Sequence, residues 1–253
     1  MRITLKHRGK TFKADLSQPI DISIPVGDVR CFYSTEFKAT PYVSGDFVGS
    51  VNKGAPVNFY DVQMNPHGNG THTECLGHIT KKQEFVTDQL KNFHFMASLV
   101  SVDLTKLENG DEVVGLEALQ RGLSSEPNEA VILRTLPNLE EKLGKDYSGS
   151  NPPYLAIDVM KWLVERGVRH LLLDLPSVDR EEDDGVLATH HVFWNVENGK
   201  AVDDSRADCT ITEMIYVPNN VADGEYLLNI QIPSLKLDAA PSKPVIYKIE
   251  DGE

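Results

Sequence analysis

Three of the chain's eight histidines fall in one short stretch, NPHGNGTHTECLGHI, at residues 65–79. Glu74, Cys75 and three glycines share it. An imidazole offers a nitrogen donor and a carboxylate an oxygen donor, and zinc and manganese take both. If residues 70–78 run extended, alternate side chains share a face. His72, Glu74 and His78 then lie on one side, with Gly70 and Leu76, while Thr71, Thr73, Cys75 and Gly77 lie on the other. Two imidazoles and a carboxylate on one face suit Zn²⁺ or Mn²⁺. A solvated polar strand is the plain alternative. Cys75 reads as a buried, inert thiol, because nothing in the sequence nominates a base for it.

Such a face needs elements to hold it. The opening MRITLKHRGKTFKADL reads as a β-hairpin turning at RGK. PVNFYDVQMNP is a second extended segment, and MASLVSVDLT and EAVILRT are apolar runs suited to buried strands. GLEALQRGL predicts a short helix with Leu116, Leu119 and Leu123 on one face. In YLAIDVMKWLVERGVRHLLLDLPSVD a helix opens at or just before Asp158 and buries Val159, Trp162 and Leu163. Gly167 closes it, and a continuous apolar strand follows. CTITEMIYV, GEYLLNIQIPSL and KPVIYKI read as further strands. The expected architecture is mixed α/β, one domain over residues 1–253, with no repeat and no low-complexity linker.

The bulk numbers narrow the roles. The net charge is −13, from 38 acidic and 25 basic side chains, which disfavours nucleic acid and anionic membranes as partners. Cys31, Cys75 and Cys209 are scattered and odd in number, so a disulfide framework is not expected. No apolar run reaches signal-peptide or transmembrane length. A cytoplasmic location and a small-molecule substrate are the expectations.

GTHTECLGH resembles the signature of the cyclase-like metal-dependent hydrolases, the family of bacterial kynurenine formamidase and isatin hydrolase. Its pattern is His-x-Gly-Thr-His-x-Asp-x-Pro-x-His, and Gly70, Thr71, His72 and His78 match in register. LLLDLPSVD, ATHHVFW, VILRT and ITEMIYVPNNVADGEYLLNIQIPSL have family counterparts in the same order. The resemblance implies a mixed α/β domain around a β-barrel-like sheet core with flanking helices, in homodimers or homotetramers. It implies one or two divalent ions, zinc or manganese. His72, Glu74, His190 and Glu213 would be ligands and His78 the proton donor and acceptor. Metal-activated water would then cleave an amide, lactam or related bond.

Four departures stand out. The family's first histidine falls on Gly68, so His67 is one position early and needs a bulge at Gly68-Asn69-Gly70 to reach the metal. Glu74 replaces aspartate. IPVGDVRCFYSTEF lacks the family's tryptophan, with Phe32 and Tyr33 as substitutes, which puts kynurenine formamidase specificity in question. APSKPVIY lacks the closing arginine, and NVENGKAVDDSRAD adds a polar loop or hairpin. His7, His94 and His170 read as surface or core-edge residues, Asp174 and Asp179 as structural, and DREEDDG as a solvated loop. His191 is expected to face away from His190 on a strand. Trp194 is a candidate pocket wall. The rival reading is a non-catalytic small-molecule or metal-binding protein on the same scaffold. A cupin-like site ranks lower, since the sequence has no His-x-His.

Overall fold

The computed structural model describes residues 1–123 and 125–252. Ten strands follow one path through a mixed sheet. In chain order they are β1 (Arg2–His7), β2 (Lys10–Asp15), β3 (His72–Glu74), β4 (His94–Lys106), β5 (Ala130–Leu136), β6 (His170–Leu173), β7 (Thr210–Glu213), β8 (Gly224–Asn229), β9 (Ala239–Pro241) and β10 (Val245–Asp251). The order across the sheet is β1-β2-β10-β8-β4-β5-β6-β7-β3-β9. Short strands Ile20–Asp21, Glu112–Val114 and Tyr154–Leu155 attach beside it. The mixed α/β expectation holds, with a correction. Among the described residues the path runs open from β1 to β9, so the core is not a closed barrel.

The centre of the sheet, β4-β5-β6-β7, is parallel. Parallel neighbours need a crossover. Helices α2 (Leu116–Gly122), α3 (Ile157–Glu165) and α4 (Ala188–Trp194) lie on these three connections, and α1 (Val86–Gln89) is a single turn. Buried side chains alternate along each central strand, so both faces are covered. Val100, Val131, Leu133, Leu171 and Leu173 pack on the helix side with Leu119, Val159 and Leu163. Leu99, Ala130, Ile132 and Leu172 pack on the other, against Phe95, Leu228 and Ile246.

Most sequence expectations for the elements hold. The hairpin, the apolar strands and the helix closed by Gly167 are all present. Leu119 is buried, with Leu116 and Leu123 packed at the core edge. Met160 takes the buried place expected for Trp162, which is partly exposed and carries the Arg166 guanidinium over its ring at 4.1 Å. NVENGKAVDDSRAD opens with a small hairpin, Val196–Glu197 against Lys200–Ala201. His170 is a correction. It is 4 % exposed and its Nδ1 lies 2.9 Å from Thr210 Oγ1, so it belongs to the core.

The extended reading of residues 70–78 survives only over β3. After Cys75 the chain turns into a short 3-10 helix, Leu76–His78. His190 and His191 sit on helix α4, not on a strand. Seven residues make two turns, too few for a helical period to show in ATHHVFW.

Candidate metal centre

β3 is wedged between β7 and β9, antiparallel to both. The register sets His72 directly opposite Glu213. His72 Nε2 lies 3.3 Å from Glu213 Oε2. Glu74, two residues on, shares that face. Its Oε1 is 3.1 Å from His190 Nε2 and its Oε2 is 3.1 Å from His67 Nδ1. His78 Nδ1 is 3.8 Å from Glu74 Oε2, and its ring lies 4.4 Å from that of His67. Thus His67, His72, Glu74, His78, His190 and Glu213 converge at one place. It lies at the carboxyl ends of the parallel strands, where open α/β sheets bind ligands.

His67 arrives by a turn, not by a bulge in the strand. Asn65 Oδ1 accepts from the His67 amide at 3.0 Å, and Asn69 Oδ1 accepts from the Asn65 amide at 2.7 Å. The two glycines let this turn press against residues 24–34. A Cβ on Gly68 would collide with the Ser34 side chain, and Gly70 has φ +150° with the backbone of Pro25 and Val26 3.0 Å from where a Cβ would sit.

Each of three imidazoles is hydrogen-bonded on its outer nitrogen and turns the other inward. His72 Nδ1 donates to Gly70 O at 3.2 Å, and His190 Nδ1 donates to Asp179 Oδ2 at 2.6 Å. His67 Nε2 donates to Asp238 Oδ2 at 2.8 Å. The inward nitrogens face carboxylate oxygens. Oxygen partners that fix the tautomer from behind are what metal-binding histidines use. His72 Nε2 and Glu74 Oε2 are buried without a hydrogen-bond partner. Such orphans are costly unless something positive sits between them. Ligand atoms of His67, Glu74 and His78 lie within 4.8 Å of one another, and so do those of His72, Glu74 and Glu213. The donor set fits one or two divalent cations.

The electrostatics agree. Burial alone would push the imidazolium of His67 down, but the Asp238 and Glu74 carboxylates outweigh it and raise its pKa to about 10. In the same way Asp179 and Glu74 hold His190 at about 10 against its burial. Glu74 stays well below the usual carboxylate range despite complete burial, because His78, His190 and His67 surround it. Without a cation, protons on His67 and His190 balance the carboxylates.

Two carboxylates complete the frame. Asp179 also accepts from the backbone amides of Thr189 at 2.8 Å and His190 at 3.1 Å, so it caps α4 while orienting its histidine. Its position in PSVD was legible, though its task is wider than a structural one. Asp238 was not legible as a site residue. It precedes β9, whose pairing with β3 carries it beside His67 and to 3.4 Å from His78 Nδ1. Asp174 is structural as expected, buried and 2.6 Å from Lys142 Nζ. Trp194 is a correction. It stacks on His190 and donates to Cys209 O inside the core, so it lines no pocket. His191 donates to Val196 O at 2.6 Å. Cys75 is buried, with its thiol pushed up to about 12 by desolvation, as an inert residue should be.

A cavity of about 350 Å³ opens onto the cluster, with Phe32, Arg180 and Leu187 around His67, His78 and His190. A larger concavity of about 800 Å³, beside the β1–β2 hairpin, holds no histidine or cysteine.

Fold and site together define a mixed α/β protein with a buried histidine–carboxylate cluster whose spacing suits a metal ion. The sequence model of the Cyclase family matches residues 14–180, and the chain belongs to that family. It is 28 % identical over 238 residues to the kynurenine formamidase of Bacillus thuringiensis (strain Al Hakam), covering 93 % of this chain and 97 % of the relative. The Bacillus anthracis kynurenine formamidase is 29 % identical over the same shares. Among solved structures, a potential metal-dependent hydrolase with cyclase activity superposes with a TM-score of 0.63 at 16 % identity, over 93 % of this chain and 98 % of that one. Isatin hydrolase A from Ralstonia solanacearum gives 0.64 at 13 % identity, over 91 % of each.

Proposed function

We propose that this protein is a metal-dependent hydrolase of amide bonds, lactams and related cyclic C–N or ester bonds included. In this reading His67, His72, Glu74, His190 and Glu213 hold one or two divalent ions, zinc or manganese. The observation that carries it is the set of three imidazoles, each donating outward and turning its other nitrogen toward a buried carboxylate. The kynurenine formamidase relatives support the amide as the bond cleaved.

A bound divalent ion supplies water of lowered pKa and polarises a carbonyl oxygen. The chain does the rest. Asp238, Asp179 and the Gly70 carbonyl hold the three rings in the tautomers that face the carboxylates. Val178 N–H donates to Glu213 Oε1 at 3.0 Å and fixes that carboxylate from the PSVD turn. His78 lines the cavity and its side chain is 29 % exposed, so its imidazole can meet a substrate. It takes a proton from the attacking water and gives it to the leaving nitrogen, as a positioned imidazole can do with its two ring nitrogens.

Elemental analysis of protein purified without chelator tests the cage, and a screen of formyl-anilides, lactams, lactones and cyclic imides with Mn²⁺ or Zn²⁺ tests the chemistry. His78→Gln is expected to keep its metal and lose roughly 100-fold or more in kcat. Loss of metal in that variant would contradict the proton-transfer role. A metal-bound protein that turns over nothing in the screen would favour the binding-protein reading instead.

A further inference from the structure

Thr71 stands between His72 and the Gly70 carbonyl that orients the His72 ring, and it is 1 % exposed. Each of its polar groups is engaged. Its N–H donates to Ile24 O at 3.1 Å, and its carbonyl accepts from Ser242 N at 2.9 Å. Its hydroxyl makes two bonds at once. Oγ1 accepts from the Ile24 amide at 2.6 Å and donates to the Met214 carbonyl. A threonine hydroxyl has one proton to give, and here a backbone carbonyl takes it.

Met214 directly follows Glu213. The register that sets His72 opposite Glu213 would set Thr71 opposite Met214, but the ladder stops one step short of that pair. Met214 has φ +53°, in the left-handed region that a residue with a Cβ enters at a cost. Its N–H turns away to Leu175 O at 3.0 Å, as that of Thr71 turns away to Ile24. At this end, among the described residues, the Thr71 hydroxyl makes the hydrogen bond that ties β3 to β7. The Met214 side chain packs with Ile24, Cys31 and Tyr216, so the segment that shares the hydroxyl also covers the turn. Both ligands thus have Thr71 close by along the backbone, His72 directly and Glu213 through Met214.

An ion held by His72 and Glu213 needs them at a spacing good to about 0.2 Å. The two come from different strands, and the strands part just past them. We propose that the Thr71 hydroxyl is the positioning group for this half of the metal site. By holding the Met214 carbonyl and the Ile24 amide together, it fixes the spacing of His72 and Glu213 and so sets the affinity for the ion. The inference rests on the metal-site reading above and names what tunes it. Thr71 takes no part in the bond cleaved.

Titration of the metal-free protein with Mn²⁺ or Zn²⁺ alone tests this without any substrate. Thr71→Val keeps the branched shape and loses the hydroxyl. It should bind roughly 10-fold more weakly than the wild type, the lower end of the loss when a supporting partner of a metal ligand is removed. Thr71→Ser brings the hydroxyl back and should bring the affinity back with it. Thr73→Val is the matched control. Thr73 is also buried and its hydroxyl meets Thr212 Oγ1 at 2.7 Å across the same two strands, but it lies inside the ladder, paired on both sides. Its valine variant should bind metal as the wild type does. Wild-type affinity in Thr71→Val, no recovery in Thr71→Ser, or an equal fall in both valine variants overturns the proposal while metal binding by the wild type upholds the site. A wild type that binds neither ion sinks the metal-site reading itself.

If Thr71→Val does not fold, the same coupling is read in the wild type by hydrogen exchange. A clamp that supports the ion is supported by the ion to the same degree, so bound metal should slow exchange of the Ile24 amide roughly 10-fold. The Ala14 amide, in β2 and away from the site, should slow less. Uniform slowing of the two, or none at Ile24, overturns the proposal.

Discussion

Asp238 bears on His67 and His78 through a single oxygen, at 2.8 and 3.4 Å. It therefore fixes the face that His67 turns to Glu74. Both histidines hold its carboxyl well below the usual range, despite the burial that opposes this. Asp238→Asn keeps the shape but gives up the charge behind the ring. Its affinity for Mn²⁺ or Zn²⁺, read by titration of the metal alone, should fall roughly 10- to 100-fold, as when a supporting partner of a ligand is lost. Unchanged affinity would remove Asp238 from the site. His67 teaches a related lesson. A one-residue slip would matter on a strand, where the face alternates. It does not matter in a turn that Asn65 and Asn69 hold by side-chain hydrogen bonds.

At the scale of elements, β6 and its neighbours explain a different histidine. His170 sits at the start of β6 with Phe95 against its ring. Burial pushes its pKa down to about 3, with Arg169 and Arg206 adding to the effect. The unfolded chain has the ordinary value of 6.5. Below pH 6.5 the unfolded state binds the extra proton and the folded state does not, so stability falls as pH drops from 6.5 toward 3. Between about pH 7 and pH 5 this costs the fold on the order of 2 kcal/mol. Urea midpoints for the wild type and His170→Gln should converge as the pH is lowered across that range. Parallel pH dependence in the two proteins would exclude His170 as the source.

At the scale of the whole molecule, one stretch of the chain exposes several large apolar side chains. Tyr42, Val43, Phe47, Phe59, Tyr60 and Val62 are exposed along two small hairpins within residues 38–63. The expected homodimer or homotetramer would cover such a face with a second copy, since contiguous apolar patches are rare on monomers. Light scattering is expected to give a dimer or tetramer for the wild type and a smaller species for the double variant Phe59→Ser, Val62→Ser. A wild-type monomer would refute this. Among the described residues no helix is long and apolar enough to cross a membrane.

The sequence alone determined what is local. Apolar runs such as VILRT and HLLLDL had to be buried strands, because they have no polar face to offer water. Glycine, threonine and histidine at fixed spacing in GTHTECLGH set His72 and Glu74 on one side of β3, because strand alternation has a period of two. His78 was reached by its place in that motif, although the chain there is a 3-10 turn. Only the tertiary structure decided the rest. β3 slots between β7 and β9, and that pairing brings Glu213, from 141 residues away, and Asp238 to the same few ångströms. Asp179 starts α4 and so aims His190 inward. Asp111 pins Arg180 from a loop 69 residues distant. Those contacts depend on which strands pair and which loops meet, and a linear pattern of residue types carries no distance across a sheet.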